Sequence, residues 1–145
     1  MADTSELISE LQRTWKLATT DADAAMKLFY ETLFERAPEV RGLFSGLPME
    51  EQGRKLSAAI SLVVKSPQLP ESIVGVLEEL GARHVGYGVE DAHYDAVGAA
   101  LIETLSTALG DEFTDAAREA WTGAYTAVSG HMKVGAARAV TMAAE

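Results

Sequence analysis

The chain has 145 residues, no cysteine, and 12 basic against 22 acidic side chains, giving a formal net charge of −10. This length favours a single domain over residues 1–145, and the lack of cysteine excludes disulfides, thiolate metal sites and cysteine nucleophiles. The acidic balance argues against nucleic acid as a partner. With no signal peptide and no apolar run long enough for a membrane helix, we expect a cytoplasmic protein without membrane contact.

The first third of the chain is predicted to form two long helices and a short one. Thr4 or Ser5 is predicted to cap the first helix, and Asp21 or Asp23 the second, because short polar side chains accept hydrogen bonds from free helix N–H groups. Pro38 stops the second helix and suits the first turn of the short one. Abundant alanine and few alternating apolar runs favour helix over strand throughout.

The rest of the chain is predicted to form four more long helices after an irregular connection over 42–48. Their expected bounds are about Met49 to Ser66, Pro70 to Gly86, Glu90 or Asp91 to Gly110, and Thr114 or Asp115 to beyond Val134, where the apolar pattern weakens. No repeat or linker divides the chain. The sequence therefore predicts an all-α domain of six long helices and a short one.

His84 is the first of three polar residues that fall on apolar helix faces. It continues the spacing of Leu77 and Leu80 on one face, and neither HExxH nor a paired-histidine spacing occurs, so a cage of several histidines is poorly supported. A single histidine can still hold iron if a porphyrin supplies the other four nitrogens. Composition alone favours the ordinary alternative, a histidine whose ring nitrogens are hydrogen-bonded in the core or at a helix end.

Tyr30 and Gln52 are the other two. Tyr30 precedes Phe34 by four residues on the apolar side of its helix, so a buried hydroxyl there would need a partner. Gln52 lies one turn before Leu56, at the edge of an apolar stripe. The ordinary alternatives are a tyrosine whose hydroxyl reaches the surface and a solvated glutamine.

Taken in order, these residues and their neighbours resemble a globin from about Leu7 to Met132. The segments that resemble the distal half are Phe29-Tyr30, Arg36-Ala37-Pro38-Glu39, Leu43-Phe44, Gln52 and Leu56. The segments that resemble the proximal half are RHVGYGV at 83–89 and HYDAVG at 93–98. The chain is most similar to the bacterial branch, which contains single-domain haemoglobins and the globin domain of flavohaemoglobins.

The resemblance implies a globin fold around a buried haem b (iron protoporphyrin IX). It implies that His84 binds the iron and that Tyr30 and Gln52 donate hydrogen bonds to bound dioxygen on the distal side. It also implies haem contacts from Phe44, Lys55, Leu56, Ile60, Arg83, Val89, Tyr94, Val97 and Leu101. Lys55 and Arg83 would pair with the haem propionates, although solvated charges explain both equally well.

The function implied is reversible binding of dioxygen, NO and CO, with high oxygen affinity and slow release. The alternatives are a nitric oxide dioxygenase, which would need a separate electron-donating reductase because the chain leaves no room for one, or a gas sensor. No residue is singled out as catalytic, and monomer and homodimer both stay open. His93 and His131 are expected at the surface, and Trp121 and Tyr125 in packing.

Two departures from the flavohaemoglobin pattern bear on this reading. In flavohaemoglobins, a tyrosine together with a glutamate from the last helix holds the proximal histidine. Tyr94 matches the tyrosine, but Ala136 and Arg138 stand where the acid is expected, which favours ligand binding over peroxidase-like chemistry. The connection before Gln52 is one residue shorter than in flavohaemoglobins, so Glu51 or Gly53 could take the distal position instead.

Overall fold

Six α-helices make up most of the computed structural model, which describes residues 3–144. They are α1 (Thr4–Ala18), α2 (Ala22–Arg36), α3 (Met49–Lys65), α4 (Glu71–Gly86), α5 (Asp91–Leu109) and α6 (Asp115–Ala144), with 3-10 helices at Thr19–Asp21, Pro38–Phe44 and Gly110–Glu112. Between residues 3 and 144 there is no β-strand, so the predicted all-α class is confirmed. None of the described helices is both long and apolar enough to cross a membrane.

The helix caps follow the predicted chemistry with one shift. Asp3, and not Thr4 or Ser5, caps α1, because its carboxylate accepts the Glu6 N–H at 2.8 Å. Asp21 caps α2 by accepting the Ala24 N–H at 3.1 Å, as predicted.

Two element boundaries differ from the sequence expectation. The 3-10 helix that begins at Pro38 runs on to Phe44, so only residues 45–48 of the predicted connection are irregular. Helix α6 continues to Ala144 although its apolar pattern fades after Val134. Alanine keeps the helix intact there, since it loses little entropy in a helix and needs no buried face.

The main core lies between α1, α2, α5 and α6. Its largest aromatic contact joins Trp15 and Trp121, whose ring centroids are 5.7 Å apart. Both indole N–H groups are satisfied: Trp121 donates to Thr14 Oγ1 at 2.8 Å, and Trp15 donates to Ser61 Oγ on α3 at 2.9 Å. These bonds let two bulky indoles be buried without leaving an unpaired donor.

Helix α4 stands apart from this core and packs mainly on α6. The two backbones touch, because a Cβ atom at Gly81 would overlap the Met132 carbonyl group and one at Gly135 would overlap that of Glu78. Arg138 on α6 adds an ion pair to Glu78 at 3.0 Å. The position of α4 therefore depends on two glycines.

Within residues 3–144, helices α3 and α4 have no extended interface with each other, and the crevice is the region between them. Helix α3 rests on α1 and α2, whereas α4 rests on α6. The loop after α4 returns toward the 3-10 helix Pro38–Phe44: Gly88 in this loop has φ +87°, and a Cβ atom on it would lie 3.5 Å from Leu43 Cδ2. The fold thus keeps the helix with Gln52 and the helix with His84 apart.

Candidate functional site

His84 lies in the last turn of α4 with one ring nitrogen held by the helix. Its Nδ1 atom is 2.6 Å from the carbonyl oxygen of Leu80, one turn earlier. A carbonyl oxygen can only accept, so Nδ1 carries a proton, and in the neutral ring the free lone pair is then on Nε2. The side chain is half-buried. This is the tautomer that a metal ligand bound through Nε2 requires.

The backbone around His84 is held as well. Its carbonyl oxygen accepts the N–H groups of Tyr87 at 3.0 Å and Val89 at 3.1 Å, which closes the helix. The Tyr87 ring meets the imidazole edge-on at a centroid distance of 5.6 Å while its own side chain is 61% exposed. Both contacts restrict the orientation of the imidazole.

Tyr30 lies in an aromatic cluster at the far end of α2. Its ring centroid is 5.1 Å from that of Phe29, 5.4 Å from that of Phe44 and 6.0 Å from that of Phe34. The residue is 8% exposed, and this burial raises the pKa of Tyr30 to about 12. Its hydroxyl therefore stays protonated and remains a donor at neutral pH.

Gln52 sits beside the place where α3 crosses α2. The crossing is made at Gly53, where a Cβ atom would lie 3.0 Å from Met26 Cβ and 4.0 Å from Tyr30 Cε2. Gln52 is half-buried next to it, whereas Glu51 is exposed and has its carboxylate 3.8 Å from Lys55 Nζ. The crossing thus brings the segment with Gln52 to the Tyr30 ring.

Most of the apolar side chains predicted to contact the haem are only partly buried. Those packed against the core but still half-exposed are Phe44, Leu56, Ile60 and Val97. Val89 is half-buried as well, and Leu101 is buried. Apolar side chains left half-exposed next to an open crevice are typical of a ligand-binding face.

Lys55 and Arg83 are both exposed and both lie beside a glutamate of their own helix. Lys55 Nζ is 3.8 Å from Glu51 Oε1, and Arg83 Nη2 is 2.6 Å from Glu79 Oε1. Exposed pairs four residues apart on a helix contribute only a few tenths of a kcal/mol, roughly 0.3–0.5. Either cation is therefore free to change partner.

Tyr94 on α5 carries a buried hydroxyl that has no hydrogen-bond partner in the described part of the chain. Burial, and then the charge of Asp91, raise the pKa of this hydroxyl. Lys133 Nζ lies 5.6 Å from the centre of its ring. The two predicted acid positions hold a half-buried Ala136 and an exposed Arg138 whose guanidinium pairs with Glu78.

The other two histidines take no part in this arrangement. His93 closes a capping box at the start of α5, where its Nδ1 accepts the Glu90 N–H at 2.9 Å. His131 is half-buried on α6. In the described ranges, no group of three or more histidine, aspartate or glutamate side chains could hold a metal ion.

Two clefts lie on other parts of the surface. A cleft of about 530 Å³ between α5 and α6, the α5–α6 cleft, is lined by residues that include Arg36, Glu103 and Ser106. Beside it the Tyr125 ring covers Gly98 and its hydroxyl donates to the Tyr94 carbonyl oxygen at 2.5 Å, a packing role as predicted. A smaller one of about 250 Å³, the α2–α3 cleft, lies at the crossing of those helices.

Sequence reasoning missed several atoms of this site. The Leu80 carbonyl that holds His84 was missed because it is a backbone group, although the four-residue spacing of Leu80 and His84 places the two one helical turn apart. Met26 and Gly53, which meet the Tyr30 ring, drew no attention because a methionine and a glycine on a helix have no distinctive pattern.

An all-helical protein with a lone histidine beside an open crevice is the class that fold and site define. The family model described as Globin matches residues 27–132 of this chain. The chain belongs to the globin family. The resemblance seen in the sequence is thereby confirmed.

Relatives of known sequence are consistent with this assignment. A flavohemoprotein of Vibrio cholerae serotype O1 is 30% identical over 125 residues, which cover 84% of this chain and 32% of that protein. A flavohemoprotein of Rhizobium meliloti is 32% identical over 104 residues, or 70% of this chain and 26% of that protein. The matched part of the chain thus spans between about a quarter and a third of the length of these relatives. The rice anaerobic nitrite reductase NSHB5 is 29% identical over 83% of this chain and 87% of its own.

Solved structures show the same fold. The engineered carbene transferase RmaNOD from Rhodothermus marinus superposes with a TM-score of 0.85 at 24% identity, covering 99% of this chain and 100% of its own. A bacterial globin from Campylobacter jejuni gives a TM-score of 0.80, also at 24% identity, over 98% of this chain and 100% of its own.

Proposed function

We propose that this globin binds haem b with His84 as the iron ligand, and through it binds dioxygen, NO and CO reversibly. The observation that carries the proposal is the bond from His84 Nδ1 to the Leu80 carbonyl oxygen, because it leaves Nε2 of this half-buried side chain available as a ligand. Membership of the globin family and the similarity to flavohemoproteins support haem as the group bound.

The residues present fit such a group on two further counts. Half-exposed apolar side chains on α3 and α5, such as Leu56 and Val97, need a cover that the polypeptide does not give them. The buried Tyr94 hydroxyl has no partner among residues 3–144, and a buried unpaired hydroxyl costs about 1–3 kcal/mol. A bound planar, largely apolar group would cover the apolar side chains, and the Tyr94 hydroxyl is still free to donate a hydrogen bond.

His84 has one task in this proposal. A bound haem would supply an iron able to take up a diatomic gas, and His84 would hold that iron. The helix presents Nε2 of His84 with its lone pair free, and the Leu80 carbonyl prevents the tautomer that would block it. Because the Leu80 partner is a neutral carbonyl and not a carboxylate, it gives the imidazole little imidazolate character.

Tyr30 and Gln52 would act on the gas from the other side. A hydroxyl with its pKa raised to about 12 stays a donor, and an amide of Gln52 can donate beside it. Donors in a buried, apolar place act more strongly than in water, and so would slow the release of a polar ligand such as dioxygen. We prefer Gln52 over its neighbours as the second donor. Glu51 is exposed, and Gly53 has no side chain and lies buried where α3 crosses α2.

Lys55 and Arg83 are proposed to bind the propionates. Each would exchange a weak pair with a glutamate of its own helix for one with a carboxylate of the cofactor. Such an exchange is close to neutral in free energy, so these residues would orient the group more than they would stabilise it.

Nitric oxide dioxygenation is the second candidate, and the similarity to flavohemoproteins favours it. The reaction joins nitric oxide and dioxygen to give nitrate and consumes one electron, which a reductase would have to supply. The proximal side argues for ligand binding first, because Ala136 and Arg138 leave Tyr94 without the carboxylate that would push electrons toward the iron.

The visible spectrum of the purified protein tests the proposal. After haem is supplied and the iron reduced, we expect an intense Soret band that shifts when air is admitted and returns when air is removed. A protein that acquires no Soret band contradicts the proposal. A spectrum that decays irreversibly on contact with air contradicts reversible oxygen binding. Continued nitrate production with an added reductase would favour the second candidate.

A further inference from the structure

The α2–α3 cleft carries one negative and one positive side chain. It has a volume of about 250 Å³, and the residues that line it include Ala22, Asp23, Arg54, Ser57, Ala58 and Ser61. Asp23 belongs to α2 and Arg54 to α3, so each wall contributes one charge. The alanines add little bulk between them. The cleft thus offers an acceptor for a cation on one wall and a donor for an anion on the other.

These two charges are not neutralised within the described part of the chain. Between residues 3 and 144, neither Asp23 nor Arg54 forms an ion pair, with each other or with a third side chain. The other arginines all have a partner there, either a glutamate (Arg13, Arg36, Arg83, Arg138) or a phenylalanine ring (Arg41, Arg118). In the α5–α6 cleft, by contrast, Arg36 and Glu103 pair with each other at 2.5 Å.

Two serines extend the polar wall that Arg54 begins. Arg54, Ser57 and Ser61 follow one another at spacings of three and four residues, which places them on one face of α3. Ser61 Oγ accepts the indole N–H of Trp15 at 2.9 Å, so its own hydroxyl proton is left to donate. The α3 wall therefore presents a guanidinium and two hydroxyl groups, which are the groups that recognise a carboxylate.

We propose that the α2–α3 cleft binds a small α-amino acid as its zwitterion. The carboxylate of the ligand lies on Arg54 and the serine hydroxyls, because a guanidinium holds a carboxylate through two parallel N–H bonds. The ammonium group of the ligand donates to Asp23 on the opposite wall. This site goes beyond the proposed function and needs no haem.

A ligand with both charges fits this cleft better than one with a single charge. An anion would be attracted by Arg54 and repelled by Asp23, and a cation would meet the reverse. The net charge of −10 on the whole chain disfavours a free anion further. No aromatic side chain is among the described residues that line the cleft, so a quaternary ammonium group would find no ring to lie against.

The binding should be weak and salt-dependent. Asp23 and Arg54 are both exposed, and ion pairs in contact with water contribute little free energy. We expect a dissociation constant on the order of 1 mM for an amino acid as small as glycine. This constant should rise with ionic strength, because salt screens exposed charges.

Glycine is the probe, and the indole N–H of Trp15 reports on the cleft because it bonds to Ser61. In NMR spectra of the purified protein at constant ionic strength, this resonance should shift saturably as glycine is added. The indole N–H of Trp121 bonds to Thr14 and should stay in place. Acetate and methylammonium each carry one of the two charges and should bind at least about tenfold more weakly, since each loses one charged contact.

Two substitutions with matched controls assign the charges. Arg54→Gln and Asp23→Asn should each weaken glycine binding by at least about tenfold. Asp23→Asn should also bind acetate more tightly than the wild type does, because a repulsive charge is gone. The controls are Arg118→Gln in the α5–α6 cleft and Asp115→Asn in the first turn of α6, the position that Asp23 has in α2. Both should bind glycine as the wild type does.

Three results would overturn the site. The first is a Trp15 resonance that shows no saturable shift at about 100 mM glycine, a hundred times the expected dissociation constant. The second is acetate or methylammonium binding as tightly as glycine, which would mean that a single charge suffices. The third is unchanged glycine binding in Arg54→Gln or in Asp23→Asn, which would place the ligand elsewhere.

Discussion

His84 Nδ1 lies 2.6 Å from the carbonyl oxygen of Leu80, so the helix that carries this histidine also decides which of its nitrogens is free. Placing the proton on Nδ1 needs no second side chain. It leaves Nε2 available on a half-buried side chain of α4, a helix that packs mainly on α6 and, within residues 3–144, has no extended interface with α3. A loss of this bond would let both tautomers form and weaken ligation.

Replacing Tyr30 by phenylalanine should speed oxygen dissociation. The hydroxyl of a tyrosine that is 8% exposed would donate to the ligand in a dry place, where one such bond contributes about 1–3 kcal/mol, or about 5–150-fold in rate. Stopped-flow displacement of oxygen by CO measures it. Tyr87→Phe is the control, because Tyr87 is 61% exposed on the opposite side of the crevice. Equal rates in the two variants would contradict the distal role of Tyr30.

Replacing Gln52 tests the register of α3. Gln52→Leu keeps the size of the side chain and removes the amide, so oxygen dissociation should accelerate by roughly fivefold, the value of one neutral hydrogen bond. Glu51→Leu, one residue earlier and exposed, should leave the rate unchanged. A response to Glu51→Leu and none to Gln52→Leu would show that α3 is shifted by one position from the arrangement proposed here.

The stability of the protein should fall in alkali through Tyr30. Its pKa is about 12 in the folded protein against the ordinary 10.0, so below pH 10 the hydroxyl is protonated in both states. Between pH 10 and 12 only the unfolded chain loses the proton, and the free energy of unfolding falls by about 2–3 kcal/mol. Burial also raises the pKa of Tyr125 and adds to the decline.

Urea unfolding at pH 9 and pH 11.5 measures this decline. Tyr30→Phe should lose a large part of it, while Tyr87→Phe at the exposed position should keep all of it. An identical decline in wild type and Tyr30→Phe would mean that Tyr30 ionises as freely in the folded protein as in the unfolded chain.

Gly135→Ala should be strongly destabilising and Gly130→Ala should not. The added methyl group at 135 would overlap the Glu78 carbonyl of α4, a backbone atom that cannot rotate away, and we expect a loss of about 3 kcal/mol. At Gly130 nothing lies within 4 Å, so alanine should stabilise α6 by up to about 1 kcal/mol.

Thermal unfolding of both glycine variants measures how much the stability of each differs from that of the wild type. Haem affinity should also fall in Gly135→Ala, because α4 carries His84 and would have to move. Equal stability of Gly135→Ala and Gly130→Ala would contradict the close contact of the α4 and α6 backbones.

The helices could be predicted from the sequence because their ends carry local signals. Asp21 and Pro38 act within a few residues of themselves, and the structure uses both as expected. The cap at Asp3 was missed by one position because Asp3, Thr4 and Ser5 have similar capping chemistry, and only the bond to the Glu6 N–H distinguishes them.

The packing of the site could not be predicted in the same way. The close approaches of Gly81 to Met132 and of Gly135 to Glu78 join residues 51 and 57 positions apart, so no local sequence pattern indicates either contact. His84, Tyr30 and Gln52 were found only because their order resembles a globin. What positions them, including the Leu80 carbonyl and the Gly53 crossing, depends on the fold.

Ligation of iron by His84 is the central claim, and chemical rescue tests it most directly. His84→Gly removes the imidazole, and His131→Gly makes the same change on α6, away from the crevice, at a similar cost in helix stability of about 1 kcal/mol. We predict that reduced, haem-supplied His84→Gly lacks the histidine-ligated spectrum and regains it when imidazole is added, while His131→Gly keeps it throughout. A normal histidine-ligated spectrum in His84→Gly without imidazole would contradict the account.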